Sequence, residues 1–183
     1  MQIDETPLSG VLILTPRRFA DARGWFSEVW NAQTLAGQGI DIAFVQDNHS
    51  YSRDAGTVRG LHYQRPPHAE MKLVSCLRGE VWDVAVDLRA GSPTFLQWHA
   101  ERLSPGNACA LLIPPGFAHG FQALTEDAEL LYLHSAAYAP GAEAGLNPLD
   151  PRLALPWPLP VAEMSERDRS HALLTASFEG VHL

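Results

Sequence analysis

A chain of 183 residues fits one domain, and its 46% hydrophobic and 19% charged residues describe a globular protein, not a disordered one. Thirteen Lys and Arg against 21 Asp and Glu give a formal charge of −8. That excludes any overall attraction for a nucleic-acid backbone or an anionic membrane, so an anionic ligand must be held by a local group of cations.

The opening MQIDETPLSG is acidic and lacks the apolar stretch of a secretory signal; no run approaches the roughly 20 apolar residues of a membrane span. Fourteen Gly and fourteen Pro interrupt the chain too often for long helices. Between them, short alternating runs predict strands over Gly10–Pro16, Phe44–Ser50 and Val58–Gln64, with one short helix at Asn31–Leu35. In Met71–Leu77, Lys72, Val74 and Cys76 share a face. After the turn Arg78-Gly79-Glu80, Val81, Asp83, Ala85 and Asp87 face one way and Trp82, Val84, Val86 and Leu88 the other, so the two runs read as a hairpin. Phe95–Leu103, Ala108–Ile113, His119–Leu124 and Glu129–Ser135 continue the series, and spacings of about 8–12 residues indicate an antiparallel sandwich or barrel. Residues 136–160 hold six of the fourteen prolines and read as irregular structure wrapping the barrel. A second helix is expected over Ser165–Leu174, opened by a capping pattern in which Ser165 and Asp168 satisfy free N–H groups. Cys76 and Cys109 are too few for a disulfide scaffold or a zinc knuckle, which places them as reduced core residues of a cytosolic protein. No linker or repeat divides residues 1–183.

The densest polar run is Val58-Arg59-Gly60-Leu61-His62-Tyr63-Gln64. Alternation puts Gly60, His62 and Gln64 on one face and Arg59, Leu61 and Tyr63 on the other. Lys72 follows on a face shared only with small or apolar residues, where an ammonium is costly to bury without a task or a partner. Pro114-x-Gly116-x-x-His119 delivers a histidine onto a new strand, and Tyr132 shares its face with Leu130 and His134. Each has a plainer reading: His62 as a hydrogen-bonded structural histidine, Lys72 as a guard on a sheet edge, Tyr132 as a core tyrosine, Asp168 as the capping acid, Arg23 as a turn residue. The Pro114–His119 pattern also resembles two-His metal cupins. Their first motif needs His-x-His, and here it reads His62-Tyr63-Gln64, with only Glu70 nearby as an oxygen donor and Lys72 adding positive charge. No nucleophilic serine, phosphate loop or dinucleotide fingerprint occurs.

Read together, these blocks resemble the dTDP-4-dehydrorhamnose 3,5-epimerase family. They are Arg23-Gly24-Trp25-Phe26-Ser27-Glu28, Phe44-Val45-Gln46-Asp47-Asn48-His49-Ser50, the run from Val58 to Pro67, Lys72-Leu73-Val74, Asp83 to Arg89, Ser92-Pro93-Thr94-Phe95, Ile113 to Phe121, and Ser165-Glu166-Arg167-Asp168. The resemblance implies an all-β, cupin-type jelly-roll barrel with a few short helices, working as a homodimer that exchanges strands at the mouth of each site. It implies a cofactor-free, metal-free isomerase that inverts carbon 3 and/or carbon 5 of a dTDP-4-keto-6-deoxyhexose through an enolate, with His62 as base, Lys72 at the carbon-4 oxygen, Tyr132 as the opposite acid and Asp168 orienting the histidine. It assigns Arg23 and Arg59, with Gln46 and Asn48, to the diphosphate. Glu28 and Glu143 fall to the nucleoside, Phe26 and Tyr138 to base stacking, and His119 to the sugar pocket, with Arg23 reaching a neighbouring subunit's site. The chain departs from the family at Gly145-Leu146-Asn147-Pro148, and at Arg167, where relatives carry lysine. Competing readings are a metal-dependent cupin enzyme and a non-catalytic sugar-binding cupin.

Overall fold

The computed structural model describes residues 1–183. In chain order the strands are β1 (Gln2–Glu5), β2 (Leu12–Thr15), β3 (Arg18–Asp21), β4 (Gly24–Ser27), β5 (Gln46–Ser52), β6 (Val58–Gln64) and β7 (Lys72–Arg78). They continue with β8 (Val81–Asp87), β9 (Trp98–Leu103), β10 (Ala110–Ile113), β11 (Phe117–Ala123), β12 (Ala128–His134) and β13 (Glu143–Gly145). Only two short helices interrupt them, α1 (Ala32–Ala36) and α2 (Glu166–Ser170). One sheet has the order β1-β2-β10-β7-β12-β5 and the other β13-β6-β11-β8-β9, with every strand pair antiparallel. The two sheets enclose a common interior in the expected cupin-like jelly roll.

Alternation alone assigns the layers. Val74, Cys76, Val81, Ala85, Phe121 and Leu130 meet between the sheets in one apolar cluster. Their strand neighbours point outward, where Val84, Val86 and Leu88 pack under Leu146, Leu153 and Val181 of the C-terminal segment. On the opposite outer face Leu73, Leu112 and Leu14 pack under Leu35 of α1. At about 1.5–3 kcal/mol for each fully buried Leu or Val, these three layers dominate stability before chain entropy is subtracted. Trp82, Trp98 and Trp157 meet edge to face at centroid distances of 5.8 and 5.2 Å, and both Trp98 and Trp157 donate to carbonyls of the C-terminal segment. That segment is therefore pinned to the barrel despite its sparse secondary structure.

Three expectations are corrected. β7 and β8 do not pair as a hairpin; β7 lies in the six-stranded sheet and β8 in the five-stranded one. Arg78-Gly79-Glu80 is a corner between sheets, and a Cβ at Gly79 (φ +74°) would stand 2.4 Å from Thr125 Oγ1. Strand alternation is identical on either side of a hairpin and of a corner, so the run could not distinguish them. The strand expected from Phe95 begins at Trp98, and the helix expected over Ser165–Leu174 ends at Ser170. β3 and β4 form a separate hairpin whose residues are mostly exposed; lacking a buried face, it shows no alternation to read.

Candidate active site

The local feature that shapes the site is a bulge in β6. His119 of β11 pairs with His62, but Phe121 pairs with Arg59, so Gly60 and Leu61 together oppose a single residue. The strands approach so closely there that a Cβ on Gly60 (φ +110°) would lie 2.6 Å from the Gly120 Cα, and one on Gly120 would lie 2.7 Å from the Arg59 carbonyl oxygen. The extra residue shifts the alternation. Arg59, expected on the face opposite His62, instead lines the same cavity, while Leu61 turns to the outer layer and Tyr63 packs there at the cavity's border.

The cavity, about 650 Å³, lies between the sheets. The five-stranded sheet contributes Arg59, His62 and His119, and the six-stranded sheet contributes Asn48, Ser50, Lys72, Tyr132 and His134. Asp168, Arg167, Tyr138 and Glu143 close it from the C-terminal segment. The site thus presents two opposed walls.

His62 Nε2 stands 2.7 Å from Asp168 Oδ1, with the histidine side chain 28% exposed and the carboxylate 4%. Arg167 Nη2 lies 2.9 Å from the same nitrogen. One Nε2 proton can serve only the acceptor, so Nε2–H donates to Asp168, and Nδ1, which has no partner in the protein, keeps the free lone pair. Burial raises the Asp168 pKa, but the bond from His62, the Gly60 N–H at 3.1 Å and the link to Ser165 outweigh it and hold the pKa at about 2. Ser165 Oγ accepts from Asp168 N at 3.0 Å. The serine therefore caps α2 as expected, while the acid's side chain turns to His62 and Gly60 instead of to the helix start.

A second histidine–carboxylate pair lies deeper. His119 Nε2 is 2.8 Å from Asp83 Oδ2; the side chains are 6% and 0% exposed, and Asp83 Oδ1 has no hydrogen-bond partner. Burial raises the Asp83 pKa against the opposing effects of His119 and Lys72. Tyr132 crosses the His119 ring at 5.9 Å and 72°, and its hydroxyl meets Ser50 Oγ at 2.9 Å. Burial pushes the phenol pKa up, so the hydroxyl keeps its proton. Lys72 Nζ donates to the His62 carbonyl at 3.4 Å and pairs with Glu70 Oε1 at 3.3 Å. An ammonium has three protons, which leaves one for a ligand.

At the rim, Arg59 is braced by Ser52 Oγ (3.1 Å) and the Tyr51 carbonyl (2.8 Å). Gln46 bonds Asn48 Oδ1 and the Tyr138 N–H, and Tyr138 donates to Glu143, which pairs with Arg167 at 3.0 Å. Arg23, Phe26 and Glu28 are not brought to this cavity. Arg23 is 89% exposed and paired with Asp21 on the β3–β4 hairpin, Phe26 is exposed, and Glu28 accepts from Asn31. The sequence gives no site role to Ser50, Asp83 or His134; it offers Glu70 only as an oxygen donor to a metal and Arg167 only as a departure from the family's lysine. Asp83 and His134 share strand faces with interior residues, the same signal that singled out Lys72.

The donor set does not suit a metal ion. Gln64 is bonded to the backbone of His68, Ala137 and Ala139, Glu70 to Lys72 and His134, and His119 to Asp83. Ligand atoms of His62, Asp168 and His171 lie within 4.8 Å of one another, but the Arg167 guanidinium beside His62 already places positive charge there.

The sequence profile described as dTDP-4-dehydrorhamnose 3,5-epimerase matches residues 5–176. The chain belongs to that family. It is 46% identical over 176 residues to the dTDP-4-dehydrorhamnose 3,5-epimerase of Salmonella typhimurium, covering 95% of this chain and 96% of the relative. The enzyme of the same description from Bacillus anthracis, solved with TDP and PPi bound, superposes with a TM-score of 0.92 at 43% identity, over 94% of this chain and 99% of that one. The Legionella pneumophila epimerase in complex with dTDP-4-keto-L-rhamnose gives 0.91 at 41% identity, over 100% and 98%. This chain is accordingly an isomerase, an epimerase of nucleotide sugars, and the metal-cupin and binding-module readings are not favoured. No helix of this epimerase is long and apolar enough to cross a membrane.

Proposed function

We propose that this epimerase inverts carbons 3 and 5 of a dTDP-4-keto-6-deoxyhexose with the residues that line its cavity. The observation that carries the reading is the opposition of walls: the His62–Asp168 pair comes from one side, Tyr132 and Lys72 from the other sheet. The carbon-4 ketone acidifies the hydrogens on its neighbours. His62 Nδ1 takes one such proton, the electron pair moves onto the carbon-4 oxygen, and the free N–H of Lys72 stabilises that developing charge. Tyr132 then gives a proton to the opposite face of the planar enolate. Inversion follows because donor and acceptor sit on different walls.

Arg59, with Gln46 and Asn48, forms the local cationic and hydrogen-bonding ground for the diphosphate; Tyr138 and Glu143 lie at the nucleoside end and His119 at the sugar. Arg23, Phe26 and Glu28 lie outside the cavity of their own chain, which supports a homodimer in which the β3–β4 hairpin is exchanged and completes the partner's site. Two free cysteines and no disulfide suit a reducing cytoplasm.

The test is incubation with the 4-keto sugar in heavy water. Deuterium should enter carbons 3 and 5 of inverted product, and Tyr132→Phe should still exchange at one carbon while its inverted product falls by about 10²-fold. Inversion by Tyr132→Phe at the parent rate would assign the donor elsewhere.

A further inference from the structure

Behind Lys72 runs a continuous line of polar contacts, an ion pair followed by hydrogen bonds, that the epimerase mechanism does not use. Glu70 Oε1 meets Lys72 Nζ at 3.3 Å, and Glu70 Oε2 meets His134 Nδ1 at 2.9 Å. His134 Nε2 lies 3.1 Å from Asn48 Nδ2, and Asn48 Oδ1 accepts from Gln46 at 3.0 Å. The Glu70, Lys72 and His134 side chains are at most a tenth exposed. The donors fix the direction of the line. An amide NH₂ can only donate, so His134 Nε2 must accept from Asn48. Nδ1 then carries the ring proton and donates to Glu70, whose carboxylate must be ionised to accept from both sides. Burial opposes that charge, yet the bond from His134 and the charge and bond of Lys72 keep the Glu70 pKa below its ordinary value. A single buried carboxylate thus faces two donors, one on each oxygen.

We infer that His134 is a positioning residue for the epimerisation: by occupying one oxygen of Glu70 it holds the other against Lys72, and it ties that lysine to Asn48 at the nucleotide end of the cavity. The inference rests on the reading of Lys72 as the group at the carbon-4 oxygen. Without His134, the second Glu70 oxygen would be buried and unsatisfied. Its nearest remedy is to turn toward the Lys72 ammonium and draw it off the ketone. Asn48 would lose its acceptor at the same time. The role is specific to an imidazole in one tautomer or to a side chain that offers a donor and an acceptor at the same two ends. Glutamine does so; leucine of similar bulk does not.

Two measurements test it. In the parent enzyme, ¹⁵N spectra of His134 should show the Nδ1–H tautomer at neutral pH; an Nε2–H tautomer would overturn the assignment without any variant being made. His134→Leu should lower kcat for deuterium exchange into the 4-keto sugar by about tenfold, with KM rising less than about threefold, because the loss lies in placing a charge in the transition state. His134→Gln should recover kcat to within about threefold of the parent. Equal kcat in the parent and His134→Leu would overturn the inference, and so would equal losses in both variants, which would mark simple packing. If the parent itself does not exchange sugar hydrogens, the epimerase reading fails first, and the two failures are separated.

Discussion

Of the three histidine–carboxylate pairs at the cavity, His62–Asp168 and His119–Asp83 differ in nearly everything except their length. His62–Asp168 spans 106 residues of sequence, from a strand to a helix, and lies partly open to solvent. His119–Asp83 joins two neighbouring strands, β11 and β8, and is closed off from water. Asp168 accepts a backbone N–H as well as the imidazole, and its pKa is driven down; Asp83 leaves one oxygen bare, and burial drives its pKa up. The difference teaches that a His–Asp contact does not by itself define a base. What defines it is a carboxylate held ionised by further donors, together with a second ring nitrogen that a substrate can reach.

The largest expected effect follows from that contrast. His62→Ala should lower turnover by a factor on the order of 10²–10⁴ while dTDP affinity changes little, since the base acts on the transition state and not on docking. His119→Ala should lower turnover by about tenfold at most, since its Nε2 is already bonded within the wall. Steady-state kinetics alongside calorimetric titration with dTDP would decide. A greater loss at His119 than at His62 would reverse the assignment of the base.

The carboxylates sharpen the comparison further. Asp168→Asn can offer His62 an amide NH₂ and so reward the wrong tautomer, and turnover should fall on the order of 10²-fold. Asp83→Asn keeps an oxygen for His119 Nε2–H and removes an acid that burial already disfavours as an anion, so turnover should remain within about threefold. The informative quantity is the ratio between the two variants. A ratio near one would mean that the two pairs do the same work.

How far such a site can be read from sequence depends on which contacts are local. The inward faces of β7 and β8 were legible because a two-residue period reports burial directly, and Lys72 stood out as a charge on an apolar face. The same argument marks Asp83 and His134 as polar residues on interior faces, though not the partners they meet. Arg59 was misplaced because a bulge breaks the period; the glycines at 60 and 120 are its only local trace, and their juxtaposition across two strands is invisible before folding. Which strands share a sheet was also beyond the alternation, since corners and hairpins carry the same turn residues. The His62–Asp168 pair exists only once α2 folds against β6, the Glu70–His134 bond only once β12 pairs with β7, and the cavity only once the two sheets face each other. Family resemblance suggests the proposed roles of His62 and Asp168, and their 2.7 Å contact supports that proposal.

The smallest effect is on stability, and there the two acids should act in opposite directions. Asp168 has a folded pKa of about 2, below its unfolded value of about 3.9. The unfolded chain therefore binds more protons between these values, so the stability from Asp168 is complete above about pH 4 and is lost as pH falls toward 2. With its side chain 4% exposed, that contribution is about 2 kcal/mol. Asp83 has a folded pKa above its unfolded value, so the folded chain binds more protons and ionisation lowers stability as pH rises past about 4. Urea midpoints measured from pH 6 down to pH 3 should show the parent's advantage over Asp168→Asn shrinking with acid. Against Asp83→Asn the parent should gain ground over the same range. Parallel curves for the two variants would mean that both carboxylates feel the same environment, and the distinction between an open, ionised pair and a closed, half-satisfied one would have to be abandoned.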